Sequence, residues 1–424
     1  MPGRPLLPPA KITEICVNTP NTASLMGLAP FLRMSVAGAD LAPIGKSLLA
    51  RAEQDASDVN AMHDLAIFMH CVGLHELALN LQQQALQQQR NYLLPARRQP
   101  ASLRVLVLMA AGDLSANMPL DCLLENSDID LALHYVAPGG LPAADLAEHD
   151  AVFIAIGESA ANQPLLQLLA QQLANWPKPV INRPDNIPRV ARDTASRLLQ
   201  GIPGLLMPPT LQVPRQTLAA LAGGQLQPST LLAGHHFPLI IRPVGSHAGN
   251  DLQKIDTPAE LQTYLAGSRA EQFYLSAFID YSSDDGQFRK YRIALLEGVP
   301  YASHMAISSH WMVHYVNAGM YEDAAKRQEE AAFMQHFDSF AARHAAALQS
   351  INAKTGLEYL CLDCAETRDG KLFVFEIDHA MVVHAMDPVD LFPYKQTYMQ
   401  KLIDAFRAML LRHAGRPLTP MAAV

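Results

Sequence analysis

The sequence LCLDCAETRDGKLFVFEID, residues 360–378, limits the fold more than any other stretch of the chain. Two alternating runs flank the pair Asp369-Gly370, which is typical of a two-residue β-hairpin loop. Counting outwards from that loop places Asp363 directly opposite Glu376 on the neighbouring strand. The stretch therefore predicts an antiparallel hairpin in which two carboxylates face each other.

Alternation divides the side chains of this hairpin between two faces. The apolar face is predicted to contain Leu362, Cys364, Phe373, Phe375 and Ile377. The opposite face is predicted to contain Asp363, Glu376 and Asp378. Carboxylates this close repel each other, so the acidic face requires protonation, a basic neighbour or a divalent cation.

Magnesium suits the acidic face, because Mg²⁺ prefers oxygen ligands and is usually held by one or two carboxylates plus substrate phosphates. We therefore predict Asp363, Glu376 and Asp378 as ligands of Mg²⁺, with Mn²⁺ as a substitute. The alternative is a solvated face paired with lysines, but no alternating Lys or Arg accompanies the acids in this stretch. A zinc site at Cys361 and Cys364 is excluded, because alternation points them to opposite faces.

A second stretch, PLIIRPVGSHAGND at residues 238–251, begins as a buried strand and continues into a loop with two glycines. Glycine lets backbone amides approach phosphates, and an arginine can bind phosphate oxygens through two N–H groups. The residues expected to bind phosphate are Arg242, Gly245, Ser246 and Gly249. His247, inside the loop, is expected to meet the phosphate or an acyl group. Taken alone, two glycines near a serine also occur in ordinary turns.

The composition is that of a globular protein, with 424 residues, 50% apolar and 17% charged. The formal net charge of -8 and the absence of a basic run disfavour nucleic acid as a partner. No apolar run is long enough to span a membrane, and MPGRPLLPPAK lacks the apolar core of a signal peptide. The five cysteines are too scattered for a disulfide framework. We expect a cytoplasmic protein.

Residues 1–97 have helical periodicity, with Gly73 between two helices over residues 61–89. The piece AMHDLAIFMHCVGLHELALNLQQQAL resembles one tetratricopeptide helical hairpin, with a degenerate helix at residues 44–56 before it. Such repeats require about three copies to bury a continuous core. The segment is therefore either a helical cap on the rest of the chain or a surface for a peptide or protein partner. The following NYLLPARRQPAS is interpreted as a linker.

From Leu103 the pattern changes to α/β. The runs LRVLVLMAA, AVFIAIG and PVINRP are typical of strands in a parallel sheet covered on both faces, with a helix over residues 163–173 between the last two. The loop after the first strand lacks the G-x-G-x-x-G fingerprint, which disfavours a dinucleotide site. The strand ends are either structural or part of a substrate pocket.

The order of elements after residue 180 is a helix, the glycine-loop strand, EQFYLSAFID, FRKYRIALLEG and the acidic hairpin. This order resembles the ATP-grasp superfamily over residues 180–415. The resemblance implies an α/β fold with α+β ATP-grasp lobes, preceded by a small parallel α/β domain and an N-terminal α-helical segment. The implied domains are residues 1–97, 98–184 and 185–424.

Members of this family mostly join a carboxylate to an amine through an acyl phosphate, using ATP and Mg²⁺. The resemblance implies that Arg242 contacts phosphate and that Arg292 lies near the transferred phosphate and the acyl oxyanion. Backbone groups of Ala277, Phe278 and Ile279 would contact adenine. Asp280 would reach the ribose.

The sequence departs from the family pattern at several positions. The final metal ligand is Asp378 where asparagine is usual, and Arg242 stands where lysine is usual. An earlier phosphate-binding lysine is absent, and Arg192 or Arg189 substitutes for it. Lys290 stands where an acid commonly precedes the family's arginine, and Ala277 replaces the acid of the adenine linker.

Substrate residues are predicted in YASHMAISSHWMVHYVNAG and in EIDHAMVVHAMD. Histidine can orient a carboxylate or accept a proton near neutral pH, although many histidines are only structural. The predicted substrate-contacting residues are His310, His314, Asn317, His379 and His384.

The sequence thus favours an ADP-forming, ATP-dependent carboxylate-amine ligase acting on small molecules or peptides, with no membrane partner. A small-molecule kinase with the same nucleotide site is one alternative. A non-catalytic, nucleotide-dependent binding protein is another. A homodimer is compatible with the sequence, which does not identify the substrate.

Overall fold

The computed structural model describes residues 24–142, 146–246 and 249–418. The helices are α1 Leu28–Val36, α2 Ala42–Gln54, α3 Val59–Cys71, α4 His75–Gln88, α5 Asp121–Leu124, α6 Gln163–Gln172, α7 Arg192–Leu199, α8 Arg215–Ala222, α9 Pro228–Leu231, α10 Pro258–Gly267, α11 Ala324–Gln335, α12 Phe337–Arg343, α13 Ala345–Thr355 and α14 Lys395–His413. The strands are β1 Asn91–Leu94, β2 Leu103–Met109, β3 Ile129–Tyr135, β4 Ala151–Ile154, β5 Val180–Ile181, β6 Leu205–Leu206, β7 Thr210–Pro214, β8 Leu239–Pro243, β9 Gln253–Ile255, β10 Gln272–Ala277, β11 Phe288–Leu296, β12 Val299–Ser308, β13 Tyr359–Glu366 and β14 Leu372–Asp378.

The strands form three sheets with helices between and around them, which confirms the predicted α/β class. The first sheet has the order β1-β3-β2-β4-β5, in which the strands from β2 to β5 are parallel, as expected for buried apolar runs. The second sheet is antiparallel, with the order β7-β10-β8-β9. The third sheet has the order β12-β11-β13-β14-β6. The glycine-loop strand and the acidic hairpin therefore belong to different sheets.

The hairpin of β13 and β14 has the predicted partners but not the predicted loop. Glu366 pairs with Leu372, so the loop is residues 367–371 and not a two-residue turn. A register shift between Asp363 and Cys364 offsets the longer loop, so Asp363 lies opposite Glu376 as predicted. A β-bulge adds a residue to one strand and changes which side chains share a face.

The shift corrects the predicted faces of the hairpin. Leu362, Cys364 and Ile377 lie in one buried core, as predicted. Phe373 and Phe375 instead pack with Tyr281 in another cluster, with ring centroids 5.5 and 4.7 Å from the Tyr281 ring. The reason is that the longer loop and the bulge change the alternation of β14 by one residue.

The N-terminal helices include a helical hairpin of α3 and α4, with Gly73 at φ 84° in the turn. The helix α2 corresponds to the predicted degenerate helix. Helix α3 is buried along most of its length and contacts the first sheet, where His63 Nε2 lies 2.9 Å from the Tyr135 hydroxyl. This packing agrees with the cap interpretation, whereas the tetratricopeptide likeness and any partner stay predictions.

The segment interpreted as a linker is partly a strand. Residues 91–94 form β1, which pairs antiparallel with β3 at the edge of the first sheet. Tyr92 is buried there, and its ring centroid lies 4.6 Å from that of His63. The linker interpretation was wrong because Tyr92 has a buried partner that is distant in sequence.

The buried cores cross the predicted boundary between residues 184 and 185. One core joins β2 and β4 to β11, β13 and β14. Another joins the opposite face of the first sheet to α14, where the Phe153 and Phe406 rings lie 5.9 Å apart. Buried Arg407 donates from Nε and Nη2 to the Asp128 carboxylate, both at 2.6 Å. The first sheet is thus packed against the third, and the domain boundaries stay a prediction.

None of the helices in the described ranges is both long and apolar enough to cross a membrane.

Buried His63 should make stability depend on pH. Burial lowers the pKa of His63 to about 4. Below about pH 6.5, His63 becomes protonated in the unfolded chain but stays neutral in the folded chain. The free energy of unfolding therefore decreases as the pH drops from about 6.5 towards 4. The full effect is roughly 3 kcal/mol. Urea unfolding at several pH values should show this slope, reduced in His63→Asn.

The matched control for this prediction is His236→Asn, at an exposed loop position. We expect it to leave the slope unchanged, because an exposed side chain loses little water on folding. An unaltered slope in His63→Asn would contradict the prediction.

Candidate active site

The candidate site lies between the second and third sheets, where α7 contributes a cation. Arg192, the first residue of α7, forms an ion pair with Glu376 of β14. Arg242, near the end of β8, is close enough to Glu376 to lower its pKa. Burial, and then the neighbouring Arg192, lowers the pKa of Arg242 to about 10. Elements far apart in sequence therefore meet at one group of charges.

Asp363 is held by two cations of the adjacent strand β11. Arg292 donates from Nε to Oδ1 at 2.8 Å and from Nη2 to Oδ2 at 3.0 Å. The ammonium of Lys290 lies 2.6 Å from the same Oδ2. The Asp363 side chain is only 1% exposed. Burial raises its pKa, but Arg292 and Lys290 outweigh burial and hold the pKa below its usual range.

Glu376 and Asp378 lie on the neighbouring strand of the hairpin. Burial raises the pKa of Glu376, while Arg192 and other cations around it outweigh that effect and lower it. Asp378 accepts a bond from the Ala380 backbone N–H at 3.0 Å, and its side chain remains 35% exposed. Asp378 therefore differs from Asp363 in having an open side.

These contacts determine how well a divalent cation fits. Within residues 24–142, 146–246 and 249–418, no group of three or more His, Cys, Asp or Glu side chains is arranged to hold a metal ion. Asp363 does not fit, because both its oxygens accept from Arg292 and Lys290. Glu376 and Asp378 fit a cation whose remaining ligands come from a bound phosphate, the usual arrangement for Mg²⁺.

Arg242 supports the loop that follows it. Its Nε donates to Ser246 Oγ at 3.1 Å, and its Nη2 donates to the Ser246 carbonyl. Gly245 and Gly249 have φ of 80° and 76°, which favours glycine over side chains with a Cβ. The predicted phosphate-binding role of His247 lies outside the described residues. Ser246 of the predicted loop is thus held by one buried guanidinium.

The predicted adenine linker follows β10. The backbone N–H of Ala277 donates to Pro209 O at 3.4 Å, and that of Phe278 donates to Pro238 O at 3.3 Å. These two N–H groups therefore bond within the chain, and the contact of this segment's backbone with adenine stays a prediction. Ile279 is half-buried, and Asp280 is exposed and accepts from Ser282 N at 2.9 Å.

The loop after β12 reaches across the site. The Trp311 ring centroid lies 5.9 Å from that of Phe278 in the linker. Met312 borders Gly249, since its sulfur would lie 3.5 Å from a Cβ built there. Exposed His310 precedes this contact, with its Nδ1 accepting from Met312 N at 3.2 Å. The loop thus joins the third sheet to the adenine linker and the glycine loop.

The other predicted substrate residues of this loop differ in accessibility. Asn317 Oδ1 accepts from His314 N at 3.2 Å and caps a short 3-10 turn. Burial, followed by Lys290 and Arg292, lowers the pKa of His314, which is therefore near the Asp363 cations. His314 is close to the charged group, while Asn317 is exposed and shapes the backbone.

The two histidines after the hairpin are placed differently from each other. His379 has a fully buried side chain, whose Nε2 donates to the Ile156 carbonyl at 3.0 Å. It connects the residue after β14 to the segment after β4, and its full burial corrects its predicted contact with a substrate. His384 is half-buried, with Nδ1 accepting from Met386 N at 3.2 Å, and burial lowers its pKa. His384 stays a candidate.

The sequence analysis did not identify two residues of the site, Glu158 and Lys290, as functional. Glu158 follows β4, and burial, then Asp378, raises its pKa to about 7. The signal for Glu158 was its place at the end of a parallel strand, where ligands of such sheets collect. Lys290 was noted only as a departure, although it alternates with Arg292 on one strand.

No family model matches the sequence, and comparison with curated proteins gives no match. Solved structures do match. The D-alanine–D-alanine ligase of Bacillus anthracis complexed with ATP is 14% identical, with a TM-score of 0.44 over 74% of this chain and 98% of that chain.

The D-Ala:D-Ser ligase VanG of Enterococcus faecalis is 13% identical, with a TM-score of 0.44 over 73% of this chain and 99% of that chain. A RimK domain ATP-grasp protein of Sphaerobacter thermophilus is 15% identical, with a TM-score of 0.40 over 70% of this chain and 99% of that chain. Of these three structures, the last is described as an ATP-grasp protein. Likenesses of this size carry no information about substrates.

Proposed function

We propose that this chain is an ATP-grasp enzyme that joins a carboxylate to an amine and converts ATP to ADP and phosphate. The observation that supports it is the group of cations around Glu376. Arg192 forms an ion pair with Glu376, and Arg242 and Lys290, from two other elements, are near enough to lower its pKa. A loop with two positive-φ glycines follows Arg242. Cations and a glycine-containing loop between two sheets suit the phosphates of a nucleotide.

The proposed roles follow from the contacts of each side chain. Arg192 and Arg242 bind the nucleotide phosphates together with the loop at Gly245, Ser246 and Gly249. Ile279 and the linker carbonyls contact the adenine, because the N–H groups of Ala277 and Phe278 are already used. Asp280, which is exposed, reaches the ribose.

The proposed metal ligands are Glu376 and Asp378, with phosphate oxygens completing the coordination. A divalent cation there would neutralise charge on the transferred phosphate. Asp363 instead orients Arg292, whose guanidinium it holds through two hydrogen bonds. Arg292 is thereby fixed to stabilise the oxyanion of the acyl group.

The proposed reaction has two steps. A substrate carboxylate oxygen attacks the γ-phosphorus of ATP, the bond to the β-phosphate oxygen breaks, and ADP leaves. The amine nitrogen then attacks the acyl carbon, and the bond to phosphate breaks. Glu158, whose pKa is raised by burial to about 7, is proposed to accept the proton that the amine loses. His310, His314 and His384 are proposed to contact the acid or the amine.

The first test is nucleotide binding by the full chain. Melting curves are measured without ligand, with MgATP, and with ATP plus a chelator. A ligand at about a hundred times its dissociation constant adds roughly 2.7 kcal/mol to the free energy of unfolding. We expect MgATP to raise the melting temperature. No rise in either ATP condition would refute nucleotide binding and, with it, the enzyme.

The second test separates the ligase from other uses of a nucleotide. Phosphate release is measured with amino acids and short peptides, each supplied alone and in pairs of acid and amine. A ligase releases phosphate and a condensed product only when both partners are present. Release of a stable phosphorylated product with one partner would indicate a kinase. Binding without turnover for every pair would contradict the proposed reaction.

A further inference from the structure

Lys290 has no role in the two steps of the proposed reaction. It precedes Arg292 by two residues on β11, so both side chains project from the same face of the strand. Both cations contact Asp363, whose side chain is 1% exposed. The Lys290 side chain is 20% exposed, so part of it remains accessible to a ligand.

The contact with Asp363 does not use all the N–H donors of the Lys290 ammonium. An ammonium has three N–H donors, and the contact at 2.6 Å uses one of them. The ammonium lies 5.9 Å from the centroid of the Phe375 ring, on the side of the hairpin that carries Glu376. It is also near enough to lower the pKa of Glu376. The remaining donors are therefore available beside the proposed metal ligand.

The charges of this group favour an anion over a second metal ion. Arg192, Arg242, Lys290 and Arg292 are four cations, while Asp363, Glu376 and Asp378 are three carboxylates, which leaves a net charge of +1. A second divalent cation at Asp363 would have to displace Lys290 and Arg292 from both oxygens. Breaking a buried ion pair in this way is costly.

We propose that Lys290, held by Asp363, binds the phosphates of the nucleotide in place of a second divalent cation, so that the site holds one metal ion per nucleotide. This inference rests on the proposed nucleotide binding. Asp363 then holds two cations, Lys290 and Arg292, and is not a metal ligand. Lys290 is then a phosphate-binding residue, because its ammonium contacts Asp363 while part of its side chain stays exposed.

The experiment counts metal ions. Electron paramagnetic resonance of Mn²⁺ is measured during titration of the full chain with a saturating non-hydrolysable ATP analogue. We expect one Mn²⁺ per bound nucleotide. Two bound Mn²⁺ ions in the unaltered chain would overturn the proposal, and this result requires no variant.

Variants test the role of Lys290 itself. Lys290→Gln should weaken analogue binding about tenfold and keep one Mn²⁺, because a phosphate contact is lost but no ligand is added. Lys290→Glu should bind a second Mn²⁺, because a carboxylate replaces the ammonium beside Asp363. Lys371→Gln is the matched control, since Lys371 pairs with Asp369 at the exposed end of the hairpin. Unchanged affinity in Lys290→Gln would overturn the phosphate contact.

The two proposals fail in different ways. If the chain binds no nucleotide with or without a divalent cation, both fail. If it binds nucleotide together with two Mn²⁺ ions, only the role of Lys290 fails and the proposed enzyme stands.

Discussion

Replacing Glu376 with Gln should abolish the stabilisation of the chain by MgATP. The change keeps the size of the side chain and removes the negative charge that a metal ion requires. At a nucleotide concentration about a hundred times the unaltered dissociation constant, roughly 2.7 kcal/mol of ligand-dependent stability should be lost. Turnover should fall by about a hundredfold or more, as when one electrostatic contact to a transition state is removed. Melting curves and phosphate release measure the two effects.

ATP without a divalent cation should behave differently in this variant. Removing the charge of Glu376 frees Arg192 from its ion pair. Metal-free ATP should therefore bind Glu376→Gln at least as tightly as it binds the unaltered chain. This difference separates loss of a metal ligand from general damage to the site.

The matched control is Glu366→Gln on the other strand of the same hairpin. Glu366 lies 2.9 Å from Arg343 and 2.8 Å from His344, outside the group of cations around Glu376. The Glu366→Gln variant should leave the MgATP-dependent rise in melting temperature unchanged. If Glu376→Gln retains the MgATP-dependent rise in melting temperature, Glu376 is not a metal ligand.

Replacing Glu330 with Ala should destabilise the fold by about 3 to 5 kcal/mol, the usual cost of removing one partner of a buried ion pair. Glu330 is fully buried on α11. It accepts from Tyr315 at 3.0 Å and from Tyr394 at 2.6 Å, and Lys395 lies 3.3 Å away. The variant leaves the buried ammonium of Lys395 with Asp387 and the Tyr315 hydroxyl. Urea unfolding at neutral pH measures the loss.

The adjacent Glu329 provides the control for this prediction. Glu329 lies on the same helix, but its side chain is 44% exposed and pairs with Arg289. Glu329→Ala should cost at most about 1 kcal/mol, because exposed ion pairs contribute little. Equal losses in the two variants would show that the network around Glu330 does not stabilise the fold. A positive result would also explain how Tyr315 fixes the loop that carries His314.

Local patterns predicted the elements of the site correctly. The strand ending near Arg242, the strand that carries Arg292 and the acidic hairpin all form where expected. Such patterns are readable because strand alternation and glycine turns depend on neighbouring residues only. The pairing of Asp363 with Glu376 was also correct, although a longer loop and a bulge produce it together.

The sequence pattern does not predict which cations neutralise Asp363 and Glu376. No Lys or Arg alternates with the acids within the hairpin, and the cations that neutralise them, Arg292, Lys290 and Arg192, come from β11 and α7. Sequence periodicity does not specify which strand lies beside another or where a distant helix begins. The prediction of three equivalent metal ligands therefore missed that Asp363 is already neutralised.

By itself, the sequence determined an α/β chain with a glycine loop after one arginine, a basic strand and a pair of opposed carboxylates. Only the tertiary structure decided which of those carboxylates is open to a cation, because that depends on the neighbours each one acquires. Asp363 is enclosed by β11, while Asp378 keeps an open side and Glu158 arrives from β4. Burial and charge pairing arise from contacts between distant residues, so they appear only once the sheets are assembled.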